Sequence, residues 1–207
     1  MPVKKRHKPL DPNRILDMAE ACIADLGLED WSMRGLAAQL HVEPMSLYHW
    51  FPSRAHVLDG LVDRFVGKLT IPTEGTWDER LAGAARAFKD AALEMPAFFP
   101  YLSVHRFNTL AALGKLEELL SFFAVEFPDP ERRAAAFRLY VHWLVGFLLD
   151  ATSGFAKGPS AADPPSDDVV AERFPTVASL APFNRAEAHD ELFEIGLRAI
   201  VSAIHTL

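Results

Sequence analysis

The sequence predicts an all-α protein: a small N-terminal three-helix unit followed by a larger helical domain, about nine or ten helices in all. Three observations carry this. No alternating run of β-branched residues lasts more than a few positions, whereas apolar residues recur at three-and-four spacing along the whole chain. Asp11-Pro12 and Asp129-Pro130 each set a capping carboxylate before a proline at the first helical position. Thr76 with Glu79, and Asn184 with Glu187, have the spacing at which cap and third residue satisfy each other's backbone donors.

From Asp11 the apolar positions Ile15, Ala19, Cys22, Ile23 and Leu26 form one face of a first helix, which Gly27 ends. Ser32 caps a second, short helix through Leu36, Ala37 and Leu40. After His41-Val42 a third helix runs from Pro44 to Trp50, with Leu47 and Phe51 inward. Helices this short need partners, which the first helix and the next one, starting at Ser53 and burying Leu58, Leu61, Val62 and Phe65, provide. Further helices are predicted near 77–95, 97–104, 107–126, 130–155 and 185–205, with a short one around 169–178. The breaker-rich, acidic stretch near 157–168 reads as a mobile loop. The chain thus divides into a basic arm (1–10), a helix-turn-helix unit (11–68) and a helical remainder (69–207).

The 207 residues are half apolar and one quarter charged, which excludes a disordered or collagen-like chain. The single cysteine excludes an internal disulfide framework and suits a reducing compartment, so a cytoplasmic protein is expected. The basic N-terminus lacks the apolar core of a secretory signal. The most apolar stretch, Ala134–Leu149, reads as too short and too charged for a membrane span, so a buried helix and no membrane partner are expected.

Two short helices joined by a three-residue turn present a recognition helix to the DNA major groove, and are equally a plain way of packing small helices. Met45, Ser46, Tyr48, His49 and Trp50 would face outward, offering donors, rings and a methyl group suited to base edges and phosphates. The run ILDMAEACIADLGLEDWSMRGLAAQLHVEPMSLYHWFPSRAHVLDGLV, Ile15 to Val62, closely resembles the N-terminal DNA-binding domain of the TetR family of transcriptional repressors. The resemblance rests on the first helix ending in LGL, the Ser-Met-Arg opening of the second, LAAQL, and LY followed by an aromatic pair and PSR.

The resemblance implies a homodimer offering two recognition helices to double-stranded DNA at a palindromic operator, and a C-terminal domain that dimerises and binds a small-molecule inducer. It implies a base or phosphate contact from Arg34, base-edge reading by Pro44, Met45, Ser46 and His49, a phosphate contact from Tyr48, and another from Arg54, which replaces the usual lysine. Two positions depart from the family pattern: the glycine of the turn is His41, and the order of aromatic and histidine is inverted in His49-Trp50. Residues 1–64 hold eight Lys or Arg against nine Asp or Glu, so bulk charge does not carry DNA binding. Placement compensates: Lys4, Lys5 and Arg6 make a basic arm able to reach phosphates or a minor groove, or simply a solvated tail.

In the helix after Asp129, Arg138, His142 and Gly146 form one narrow stripe among apolar residues. Such a helix lies either at the centre of its own subunit or between its core and a partner. The small-residue face of Gly196, Ala199, Ile200 and Ala203 on the last helix permits close approach, and the resemblance implies a four-helix dimer interface that includes Arg138, Val145 and Leu149. Aromatic and soft residues crowd the middle of the chain, and Phe88, Met95, His105, Asn108, Phe122, His142 and Trp143 are candidate pocket residues for an apolar or aromatic ligand. His105 lies where the tetracycline-repressor branch places a histidine that helps hold a metal-bound drug, but it has no sequence partner that would make a metal set. No cofactor is expected. A helical enzyme would need a phosphate loop, a Glu-x-x-His pair or a serine elbow, none of which occurs. A helical adaptor without DNA binding fits the acidic balance but not the intact Arg34, Tyr48 and Arg54.

Overall fold

The computed structural model describes residues 9–153, 162–180 and 189–207, and among these it contains eleven α-helices and no strand. They are α1 (Pro12–Leu26), α2 (Met33–Leu40), α3 (Pro44–Tyr48), α4 (Arg54–Lys68), α5 (Trp77–Glu94), α6 (Phe99–Val104), α7 (Leu110–Glu126), α8 (Pro130–Ser153), α9 (Asp167–Arg173), α10 (Pro175–Leu180) and α11 (His189–Ile204).

The caps explain where helices begin. Asp11 Oδ1 accepts from Arg14 N at 3.0 Å, Ser32 Oγ from Gly35 N at 3.1 Å, and Asp129 Oδ2 from Arg132 N at 2.9 Å. Thr76 and Glu79 close the reciprocal box: Thr76 N donates to Glu79 Oε2 at 2.8 Å and Glu79 N to Thr76 Oγ1 at 3.3 Å. Asn184 and Glu187 lie outside the described residues, as do Lys4, Lys5, Arg6 and residues 157–161 of the expected loop. Thr109 starts α7 later than expected, because its hydroxyl accepts from Ala112 N at 3.1 Å. The single helix expected near 169–178 is two helices: Ser166 caps the first, and Phe174 leaves helical geometry before Pro175 opens the second.

The helices gather into two compact units. One holds the chain up to Thr70 together with Ala87–Leu119, and so includes the second half of α5, α6 and the start of α7. Its core is Ile15, Leu16, Ala19, Cys22, Ile23, Leu36, Leu40, Leu47, Leu61 and Phe65, all buried. Phe65 meets Phe88 edge-on at 5.3 Å and Phe99 at 6.3 Å. Leu26, expected on the buried face of α1, is exposed, and Leu16 takes its place inside. Arg64 of α4 bridges to Asp17 at 2.7 Å and donates to the Asn13 carbonyl, which fixes α4 against α1.

The other unit holds Ile71–Arg86 and Leu120–Leu207. Trp77 stacks on Phe122 at 5.2 Å and meets Phe123 and Phe127 edge-on, while its Nε1 donates to the Phe122 carbonyl at 3.1 Å. Buried Tyr140 donates to the Leu81 carbonyl at 3.2 Å, and that burial pushes its phenol far above the ordinary value. Arg86 and Glu194 form a two-pronged pair, both contacts 2.8 Å, between α5 and α11.

Helix α8 departs from its expectation. It is 24 residues long and, by length and composition, apolar enough to cross a membrane, so it is not too short. Nor is it buried all round: 22% of its most apolar stretch is buried within the chain. The buried positions are Ala136, Tyr140, Leu144 and Leu148, a strict four-residue stripe packed with α11. Leu139 on α8, and Leu192 and Ile195 on α11, remain exposed.

Candidate nucleic-acid interface

The turn between α2 and α3 demands one left-handed residue, and His41 supplies it at φ 57°, ψ 45°. Its backbone N–H donates to the carbonyls of Ala37 and Ala38, closing α2 as a glycine would. Pro44 opens α3 at the position where a missing N–H costs nothing. Leu47 is fully buried and anchors the helix, with Phe51 half-buried behind it. Around that anchor Met45, Ser46, Tyr48, His49 and Trp50 are all exposed, Met45 to 76%. The helix itself ends at Tyr48, where Trp50 N and Phe51 N both turn back to the Leu47 carbonyl. His49 and Trp50 meet edge-on at 5.5 Å, so the inverted aromatic pair forms one composite surface beside the reading helix. Arg34 is exposed in the first turn of α2. The arrangement presents a hydroxyl, a phenol, an imidazole, an indole and a guanidinium from α2, α3 and the turn after α3, with α3 packed on α2 and α2 on α1, which is the chemistry of groove and phosphate contact.

Arg54 does not join that surface. Its Nη2 donates to the Leu28 carbonyl and its guanidinium lies 4.8 Å above the ring of Trp31, which is 2% exposed. Arg54 Nε is buried without a hydrogen-bond partner. Where a flexible lysine ammonium would favour solvent, the planar guanidinium here stacks on an indole, so the cation is directed at Trp31. Trp31 is the neighbour of Arg54 that spacing did not single out. The available signal was a large aromatic directly before the Ser32 cap.

The candidate pocket residues do not behave as one set. In the first unit Met95 is buried core, Phe88 packs on Phe65 and Phe99, and Asn108 is exposed. His105 stacks on Tyr101 at 4.9 Å with Nε2 3.2 Å from Asp59 Oδ1, a link between α4 and the end of α6. The Tyr101 phenol is pushed up by burial and then by Asp59, and pulled back by Arg54. In the second unit Phe122 is core under Trp77, His142 is exposed, and Trp143 packs on Phe193 at 5.5 Å. Among the described residues no group of three or more His, Cys, Asp or Glu could hold a metal ion.

Of the candidate interface residues, Arg138, Ala199 and Ala203 are exposed, and Val145, Leu149 and Ile200 half-buried. Gly196 differs: a Cβ there would come within 2.8 Å of Trp143 Nε1, so its smallness serves a contact inside the subunit.

Two family models match this chain. One describes bacterial regulatory proteins of the tetR family over residues 15–61, and the other a tetracyclin repressor-like C-terminal domain over residues 71–207. The tetracycline repressor protein class G of Vibrio anguillarum is 24% identical, over 96% of this chain and 95% of its own length. A possible TetR family transcriptional regulator from Streptomyces coelicolor A3(2) superposes with a TM-score of 0.75 at 21% identity, covering 95% of this chain and 99% of that one. ActR of Streptomyces coelicolor in complex with actinorhodin gives 0.73 at 22% identity, covering 96% and 98%. A single-residue variant of TetR from Acinetobacter baumannii AYE in complex with minocycline gives 0.70 at 21% identity, covering 96% and 98%. With the helix-turn-helix intact and the C-terminal model matched from Ile71 to the last residue, the chain belongs to the TetR family of bacterial transcriptional regulators.

Proposed function

We propose that this chain is a homodimeric, cytoplasmic, non-enzymatic repressor that holds a palindromic operator and releases it when a small apolar or aromatic molecule binds the C-terminal domain. The observation that carries the reading is the surface of α3 and the turn that follows it: five exposed side chains, Met45, Ser46, Tyr48, His49 and Trp50, arranged about a wholly buried Leu47. Residues 11–68 form the DNA-binding domain on this reading and 69–207 the ligand-binding and dimerisation domain. Arg34, Pro44, Met45, Ser46, Tyr48, His49 and Trp50 meet DNA, and the arm with Lys4, Lys5 and Arg6 adds phosphate contacts. Pairing two subunits through α8 and α11 would cover the apolar surface that each leaves exposed. That relatives are found with actinorhodin and with minocycline supports a small-molecule effector here. The effector must bind the two states unequally, or it switches nothing.

The test is selection of bound fragments from a random DNA pool at a fixed moderate salt concentration. Enrichment of a sequence with two inverted half-sites supports the reading, and no enrichment overturns it. Light scattering at micromolar concentration should give twice 23.0 kDa.

A further inference from the structure

Arg54 is the cation of the first turn of α4, yet it is turned into the protein. Its guanidinium covers the face of Trp31, its Nη2 holds the Leu28 carbonyl, and both Arg54 Nε and Trp31 Nε1 are buried without hydrogen-bond partners. A half-buried cation whose Nε is shut off from solvent without a partner persists only where the contacts it does make are specific. Those contacts lead to the reading helix in three steps. Trp31 directly precedes Ser32, Ser32 caps α2, and α2 packs on α3. The Leu28 carbonyl belongs to the turn that links α1 to that cap.

We propose that Arg54 is a positioning residue for DNA recognition: it latches the start of α4 to Trp31 and the turn at Leu28, and so sets the angle at which α3 is presented, without itself touching phosphate. This rests on the DNA-binding reading above. Two features separate it from a phosphate contact. A phosphate contact releases counterions, so its loss makes the dependence of affinity on salt shallower by about one unit of log–log slope. A latch lost inside the domain weakens binding at every salt concentration alike and changes the surroundings of Trp31 in the free protein.

The experiment uses the full chain labelled with 5-fluorotryptophan, the Trp31 fluorine resonance being assigned through Trp31→Phe, and the palindrome recovered from the random pool as probe. Arg54→Met should shift the Trp31 resonance without DNA, lower affinity about tenfold, and leave the salt slope at the wild-type value. Arg54→Lys keeps the charge and folds where the Met variant does not; it should also shift the resonance and fail to restore affinity. A shallower slope with an unmoved Trp31 resonance, or full rescue by lysine, overturns the proposal. Should the wild-type chain select no DNA, the DNA reading falls; the Trp31 resonance then still decides whether the latch exists.

Discussion

Trp143 lies over Gly196. A Cβ built on that glycine would sit 2.8 Å from Nε1 and 2.9 Å from Cζ2 of the indole, closer than unstrained atoms approach. In the middle of a helix, alanine normally gains up to about 1 kcal/mol over glycine. Here the ring cannot retreat without disturbing Phe193 and Phe147, so overpacking outweighs that gain. We expect Gly196→Ala to destabilise the fold by about 1–2 kcal/mol net. Gly146→Ala, on α8 with nothing within 4 Å of its Cβ, should instead show the ordinary helical gain. Urea unfolding of the two variants side by side gives opposite signs if the packing is as described.

His41 occupies the left-handed region, which costs a side-chain-bearing residue about 1–2 kcal/mol. His41→Gly should therefore gain up to about 1 kcal/mol, the remainder being lost to the freedom of glycine in the unfolded chain. His41→Val should lose more than about 1 kcal/mol, because β-branched residues tolerate this region least. Thermal unfolding reads both. Equal stabilities would mean that the turn has another geometry.

Glu79 carries an acid-dependent share of stability. The Thr76 backbone N–H, and after it the Thr76 hydroxyl, holds its carboxyl below the ordinary 4.5. The folded value is thus lower than the unfolded one. Its contribution is complete above 4.5 and drains away as pH falls through the folded value. Glu79→Gln should be less stable than wild type at neutral pH, and the two curves should converge in acid. Parallel curves would remove the box as a source of acid sensitivity.

Tyr48 and Arg34 should be separable at the DNA surface. Tyr48→Phe removes a single hydroxyl from an exposed ring, and we expect a loss of about 1 kcal/mol in affinity for the selected palindrome with unchanged unfolding. Arg34→Ala removes an exposed cation. A shallower salt slope marks a phosphate contact, and lost discrimination among half-site variants marks a base contact. If neither quantity moves, Arg34 lies off the DNA.

Much of the fold was legible because helix starts are local chemistry. Asp11, Ser32, Thr76 and Asp129 announce themselves by side chain and spacing, and each caps as the sequence predicts. The outward set on α3 was legible for the same reason, since burying Leu47 fixes which side chains point away. Arg54 was not, because its direction depends on Trp31, twenty-three positions back in the sequence. Spacing within a helix says nothing about a ring delivered by another turn. The candidate pocket residues are hard to read for the same reason. Phe122 and Met95 have the composition of a cavity wall and the burial of a core, and only tertiary packing distinguishes the two. For α8 the sequence left open whether its apolar surface is covered within one subunit or between two. Among the described residues, Leu139 is exposed and Val145 and Leu149 are half-buried.

Cys22 is the sole thiol of the chain; it is 8% exposed on the inner face of α1, and burial, with Asp25 behind it, pushes its ionisation up. A thiol so placed is slow to react while α1 is seated. The protein therefore carries a single chemical clock: the rate at which a thiol reagent labels it measures how often the first helix lifts from its seat. Because that helix braces both α2 and α4, the same clock run with and without DNA, or with and without a candidate effector, times the loosening of the reading head without any added probe.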